Sequence, residues 1–278
     1  MIENEYREEP LLSVSLTVHY PGKAGVLRDV SFSMAQGEVL GLVGQSGSGK
    51  STLALAILKL LGARGGIASG EVRFQGRNLL ASSEKEMRQV RGRQIGLVLQ
   101  SPSCSLNPAL KIGSQLKEVW RAHSSGSAAR RTASVRDVLA SVSLPSDDSF
   151  LNRYPAQLSV GQAQRLLIAM GILHHPPLLI ADEPTSALDV ITQAEIMKLF
   201  ARLNHGLGTA ILYISHDLLS IASLCHRVVI LHEGQVVEAG DTEQIFRQPS
   251  HPYTRRLIAS IPPNPFLLPG IQAATAGA

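Results

Sequence analysis

The chain has 278 residues, 44% of them hydrophobic and 17% charged, with a formal net charge of +4 when its nine histidines are counted as neutral. That length buries a sizeable core as one large α/β unit or a unit with an appendage, and that composition excludes a disordered or fibrous chain. The mild basicity reads as a solvated surface rather than a nucleic-acid patch. Two cysteines, Cys104 and Cys225, stand far apart without metal-type spacing, which favours a reduced cytosolic compartment over a disulfide framework. Met1 to Pro10 is acidic and lacks the basic, then apolar, run of a secretory signal. No apolar stretch reaches the length of a bilayer span, and Lys59 breaks the best one, so any membrane role is expected to be borrowed from a partner.

Leu12 to Tyr20 alternates with period two, as a half-buried strand does, and Val30–Met34 repeats the pattern before a Gln36-Gly37 turn. Val39–Val43 is a continuous apolar run. Behind it come Gly44, Gln45, Ser46, Gly47, Ser48, Gly49, Lys50 and Ser51, which match G-x-x-x-x-G-K-[ST] at every fixed position. Thr52 to Leu61 is a helix former. Strand, glycine-rich turn and helix are the context in which this motif cradles phosphate. The glycines let backbone N–H groups converge on an anion, and the new helix adds its positive end. Lys50 then reaches the β- and γ-phosphates, and the Ser51 hydroxyl can ligand Mg²⁺. A flexible Gly/Ser turn before a helix is the plain alternative, and the flanking strand argues against it.

Glu71–Gln75 reads as a short strand after a glycine-rich stretch, and Ile95–Leu99 as a central strand ending at Gln100. From Ile112 to about Val142 the pattern turns helical, interrupted by a polar loop at Ser124 to Ser127. Val160 to His174 is an amphipathic helix stopped by Pro176-Pro177. Leu178–Ala181 and Ala210–Ile214 are runs suited to a doubly covered parallel sheet. Arg227–Leu231 and Gln235–Glu238 flank Glu233-Gly234, a hairpin signal. No internal repeat and no second phosphate loop is present. Pro263 to Ala278 mixes proline with small residues and is expected to be a loose tail. His174, His175 and His232 read as surface or loop residues.

The run Leu178–Ala181 ends in two carboxylates. Asp182 at the strand end can hold Mg²⁺ opposite Ser51, and Glu183 can act as general base toward the attacking water. A solvated acidic turn is the bland reading. It rarely coincides with a complete phosphate loop upstream.

Leu158-Ser159-Val160-Gly161-Gln162-Ala-Gln164-Arg165 resembles the signature of the ATP-binding cassette (ABC) transporter family, commonly L-S-G-G-Q-x-Q-R. Asp182-Glu183-Pro-Thr-Ser186-Ala187-Leu188-Asp189 resembles that family's acidic strand end and the D-loop after it. Gln100 resembles its Q-loop glutamine, His216 in Tyr213-Ile-Ser-His-Asp217 its switch histidine, and Tyr20 the aromatic that packs on adenine. The likeness spans residues 20 to 240. It implies ATP and Mg²⁺ as ligands: Gly44 to Thr52 and Tyr20 hold the nucleotide, and Ser51, Gln100 and Asp182 serve the metal. Glu183, His216 and Gln100 carry hydrolysis. Ser159, Gly161, Gln162 and Asp189 would close the nucleotide site of a second cassette. Val160 stands where glycine is commonest, and its branched side chain matters if that position needs φ > 0 or close approach to phosphate. The surviving Ser159, Gly161 and Gln162 favour a working signature.

Gln100 to Pro108, Ile112-Gly113-x-Gln115-Leu-x-Glu118 and Ser250 to Pro262 resemble segments of dipeptide, oligopeptide and nickel importers. Many of those members continue into a cysteine-bearing segment with no counterpart among these residues, and no metal cluster is expected from the resemblance. The expected fold is an α/β P-loop NTPase, with a RecA-like core, an antiparallel β region and a helical subdomain at about 101–158. Residues 10–245 would form the ATPase domain and 246–278 a C-terminal extension and tail. The resemblance implies an ATPase on the cytoplasmic face of the inner membrane. Its partners would be a second cassette subunit (a paralogue or another copy), two permeases and, indirectly, an extracytoplasmic solute-binding protein. Ser101 to Glu118 is expected to line a groove for a short permease helix. The alternative is a soluble cassette ATPase, or an accessory nucleotide-binding protein of the kind used in phosphonate breakdown.

Overall fold

Two apolar periodicities, alternating near the start and continuous later, become two different sheets. The computed structural model describes residues 9–261; the tail expected at 263–278 lies outside the described residues. The chain runs β1 (Leu12–Tyr20), β2 (Lys23–Met34), β3 (Val39–Val43), α1 (Lys50–Ile57), β4 (Ile67–Phe74), β5 (Arg77–Asn78), α2 (Glu84–Val90) and β6 (Ile95–Val98). A helical stretch follows, with α3 (Pro102–Ser105), α4 (Ile112–His123), α5 (Ala128–Ser141), α6 (Asp148–Leu151) and α7 (Val160–Ile172). The α/β pattern resumes with β7 (Leu178–Asp182), α8 (Val190–Leu207), β8 (Ala210–Ser215), α9 (Leu218–Leu224), β9 (Arg227–His232) and β10 (Gln235–Asp241). It closes on α10 (Thr242–Arg247) and α11 (Pro252–Ala259).

The antiparallel sheet has the order β2-β1-β4-β5, and the larger sheet the order β10-β9-β3-β8-β7-β6. In the larger sheet β9, β3, β8, β7 and β6 pair in parallel, and β10 returns antiparallel along β9. Its central parallel strands β3, β7 and β8 are buried on both faces, so successive residues feed two cores. Val39 and Val43 point into one core with α4, α5, α7 and α8, while Leu40 and Leu42 point into the other with α1 and the antiparallel sheet. In β1 the even positions Leu12, Val14, Leu16 and Val18 are buried, as its alternation requires.

Three boundaries differ from the sequence reading by four residues or more, each for an identifiable reason. The helix expected to reach Leu61 ends at Ile57, because Lys59 takes a left-handed turn (φ 52°). Leu60 N donates to Leu55 O and Lys59 N to Ala56 O, the double bond that closes helices at a left-handed residue. The Lys59 ammonium is tied to Leu80 O and Ser82 O at 2.8 and 2.6 Å. β4 starts at Ile67 rather than Glu71, since pairing along β1 from His19 to Leu12 overrides the glycine-rich composition. β2 likewise starts seven residues before Val30, at Lys23. The Glu233-Gly234 hairpin forms as read, both residues at positive φ (47° and 77°).

Candidate nucleotide site

Parallel pairing brings four strand ends to one edge of the sheet, outside their carboxyl ends, where open α/β sheets bind ligands. Val43 of β3 is level with Ser215 of β8, Ile214 with Asp182 of β7, and Ala181 with Val98 of β6. The phosphate loop, His216, the Asp182-Glu183 pair and Gln100 therefore emerge side by side. Between them lies a cavity of about 470 Å³, lined by Tyr20, Val26, Ser46, Gly47, Gly49, Lys50, Ser51, Thr52, Gln100 and Glu183. Val26 escaped the sequence reading, because the alternation of β2 becomes legible only at Val30.

Gly44 and Gly49 shape the loop. A Cβ on Gly44 would lie 2.2 Å from the Leu231 carbonyl, so only glycine lets β9 run against the loop. Gly49 stands at φ 108° and opens α1, whose first turn has no side-chain cap. Those free N–H groups and the helix dipole face the cavity end of the loop. Lys50 is 5% exposed. Its Nζ donates to Gly44 O at 2.7 Å and Gln45 O at 3.1 Å, and lies 3.7 Å from Glu183 Oε1. Burial lowers its pKa, with Glu183 and Asp182 pulling the other way.

Asp182 is pushed up by burial, with the Ser51 hydroxyl opposing the shift. Its Oδ1 is buried without a hydrogen-bond partner, a costly arrangement for an acceptor unless a cation or ordered water meets it. A hydroxyl, a carboxylate and an adjoining phosphate loop suit Mg²⁺, which keeps waters and takes few protein ligands. No group of three or more His, Cys, Asp or Glu forms a metal cage among the described residues.

Glu183 adopts φ 47°, a left-handed conformation that costs a non-glycine residue and occurs at functional sites. Its backbone N–H donates to Ile214 O at 2.9 Å. The carboxylate gathers three groups: Gln100 Nε2 donates to Oε2 at 3.0 Å, His216 Nδ1 lies 3.3 Å from Oε2, and Lys50 flanks Oε1. The sequence placed these residues in one site by motif; the left-handed turn that aims Glu183 carries no sequence signal.

Ser159, Gly161, Gln162 and Asp189 lie outside this cavity's lining. Ser159 caps α7: its Oγ accepts from Gln162 N, and Gln162 Oε1 accepts from Ser159 N, both at 3.2 Å. Val160 is the first helical residue, 55% exposed and not at positive φ, so a branched side chain costs the backbone little there. A Cβ on Gly161 would meet Thr192 Cγ2 at 2.8 Å. Asp189 caps α8, accepting from Ile191 N at 3.1 Å and Thr192 N at 3.0 Å. Thr192 thus joins the signature to the D-loop. Val160→Gly is expected to change ATPase activity by only a few-fold, measured with the partner subunit present. A gain of about a hundredfold, roughly 2.7 kcal/mol of barrier, would mark this signature as a degenerate half-site.

His174 lies in the turn after α7, as the loop reading expects, whereas His232 closes strand β9. His174 is half-buried, edge-on to His123 and 3.0 Å from Val119 O, and His232 stacks on Tyr253. Their neighbours come from distant helices, which sequence spacing cannot reveal. Cys104 is exposed, Cys225 is buried, and both are free thiols.

A loop, a carboxylate pair and an uncapped helix arranged this way belong to the phosphate-loop nucleoside triphosphatases. Residues 27–186 match the ABC transporter family, and residues 237–273 match the oligopeptide/dipeptide transporter C-terminal region. The chain is 42% identical to the dipeptide transport ATP-binding protein DppD of Escherichia coli, over 91% of this chain and 78% of that protein. It is 43% identical to the oligopeptide transport ATP-binding protein OppD of Bacillus subtilis, over 87% and 68%. Among solved structures, cbiO1 from Clostridium perfringens superposes with a TM-score of 0.75 at 26% identity, covering 87% of this chain and 92% of that one. The cassette MJ0796, dimeric and bound to ADP and Pi, gives 0.70 at 28% identity, over 83% and 98%. The chain belongs to the ABC transporter family, as a cassette that binds and hydrolyses ATP.

Proposed function

We propose that this ATPase energises uptake of peptides, or of a similar small solute such as nickel, through two membrane permeases. The observation that carries the reading is the match of residues 237–273 to the oligopeptide/dipeptide transporter C-terminal region, on a chain otherwise similar to peptide-transport ATPases. No helix among the described residues is long and apolar enough to cross a membrane. That supports a peripheral subunit held at the cytoplasmic face of the inner membrane by its permeases, with a solute-binding protein choosing cargo on the far side.

In this reading Lys50 keeps two N–H bonds to the Gly44 and Gln45 carbonyls and turns its third to the nucleotide's phosphates, Tyr20 packs on adenine, and Gln45, Ser46, Gly47, Ser48, Gly49 and Thr52 surround the phosphates. Ser51, Gln100 and Asp182 would hold Mg²⁺, which would supply positive charge to the phosphates. Glu183 takes a proton from water, and His216 and Gln100 orient its carboxylate. Ser159, Gly161, Gln162 and Asp189 serve the site of a second cassette. The Ser159 hydroxyl accepts one N–H and keeps its own proton to donate, at the positive end of the 13-residue α7.

The coupling surface follows from the same reading. Ser101, Pro102, Ser103, Leu106 and Pro108 line a mostly apolar groove of about 430 Å³ with Pro155, Leu158 and Val160. A short cytoplasmic permease helix is expected to seat there, and a nucleotide-driven shift would move it between two packed arrangements. Single cysteines along 101–118, in a background without Cys104 and Cys225, should crosslink to a permease loop in the assembled transporter. Crosslinks elsewhere on the helical stretch and none within 101–118, with or without ATP, would sink the coupling scheme. Failure of the tagged chain to co-purify with any permease would favour the soluble ATPase reading.

A further inference from the structure

The last described helix reaches back to the phosphate loop. Its start is anchored by Glu238 of β10, whose carboxylate accepts from Ser250 N at 2.6 Å and His251 N at 3.1 Å. His251 then caps α11, its Nδ1 accepting from Tyr253 N at 3.2 Å. These contacts seat Tyr253 with 4% of its surface exposed. Its ring stacks on His232 at the end of β9, the centroids 3.7 Å apart and the planes 17° from parallel. The phenol oxygen accepts the backbone N–H of Gln45 at 3.1 Å.

That N–H belongs to the Gly44–Gln45 peptide unit. The carbonyl of the same unit, Gly44 O, accepts the Lys50 ammonium at 2.7 Å. In a trans peptide the two groups point in opposite directions, so one rigid plane is gripped by Tyr253 on one side and Lys50 on the other. The next carbonyl, Gln45 O, takes Lys50 Nζ and Ser48 N, both at 3.1 Å. Rotating the first plane would disturb the lysine and the loop turn together. This N–H is spent on a clamp and is not part of the anion cradle.

We propose that Tyr253 is a positioning residue for the phosphate loop. By holding the Gly44–Gln45 peptide it keeps Lys50 and the inward N–H groups arranged for phosphate, which makes the C-terminal helix part of the nucleotide site. The inference rests on the ATP reading of that site. Because coupling is reciprocal, ATP in turn steadies the seat of α11.

Tyr253→Phe keeps the ring and its stack and deletes only the hydroxyl. Losing one such hydrogen bond is expected to weaken ATP binding by roughly three- to tenfold. The KM for ATP should rise in step, with kcat within about twofold of wild type. Arg255→Ala is the control. Its guanidinium holds Pro249 O and Ser250 O at 3.0 Å, so its loss loosens the start of α11 while the Tyr253 hydroxyl keeps the Gln45 N–H, and ATP affinity should fall by less than in Tyr253→Phe. Hydrogen exchange at 250–260 should slow when ATP is added to wild type, a readout that stands even if Tyr253→Phe folds poorly. Unchanged or tighter binding in Tyr253→Phe, equal loss in Arg255→Ala, or exchange indifferent to ATP would each overturn the proposal. A wild-type chain that bound no ATP would overturn the nucleotide reading and this inference with it, whereas normal wild-type binding beside an unaffected Tyr253→Phe overturns the inference alone.

Discussion

Glu183→Gln is expected to bind ATP within a few-fold of wild type while steady-state hydrolysis falls by roughly 100- to 1000-fold, the usual worth of a positioned general base. The amide keeps the size of the side chain and its bond to Gln100 by a flip, but it accepts no proton from water. Lys50→Ala should behave oppositely and abolish binding, because its charge meets the phosphates in the ground state as well as in the transition state. Nucleotide titration and turnover on both variants separate the roles. If Glu183→Gln kept most of the wild-type rate, the base would have to be sought elsewhere, with His216 the neighbour 3.3 Å away.

Gly44→Ala should be among the most damaging single methyl additions. The new Cβ would lie 2.2 Å from Leu231 O and 2.6 Å from Ser48 Oγ. Overpacking of this kind costs about 1–3 kcal/mol or more, and here the obstacle is a backbone carbonyl that cannot rotate away. We expect a stability loss of about 3 kcal/mol, and loss of ATP binding as the loop lifts from β9. Gly47→Ala is the contrast: its φ of 81° strains an alanine, but nothing stands within 4 Å of the added carbon, so a cost of about 1 kcal/mol is expected. Denaturant midpoints and nucleotide titrations test both. Equal effects at the two positions would show that contact with β9 is not what makes Gly44 necessary.

Motif and periodicity carried the reading far where chemistry repeats along the chain. The phosphate loop could be placed because a strand pattern precedes it and a helix pattern follows. The ends of α4 and α5 were legible from the polar break at Ser124 to Ser127, where Ser127 accepts from Arg130 N and caps the second helix. The reading was weakest where long-range pairing decides. β4 gained Ile67 to Gly70 from its register with β1. The 18-residue α8 had no expected counterpart, although the Asp189 side chain that caps it was already singled out for another reason.

The amino-acid sequence alone determined the kind of chemistry here: a glycine-rich loop ending in Lys50-Ser51, and an apolar run ending in Asp182-Glu183, are local patterns whose meaning survives without coordinates. It also determined which strands are doubly covered, since continuous apolar runs have no polar face to offer water. Only the tertiary structure decided how those pieces face one another. The left-handed backbone of Glu183, the peptide plane shared by Lys50 and Tyr253, and the close approach of Leu231 to Gly44 arise from contacts between residues far apart in sequence. Packing sets such contacts after the chain has folded, and no local propensity encodes them.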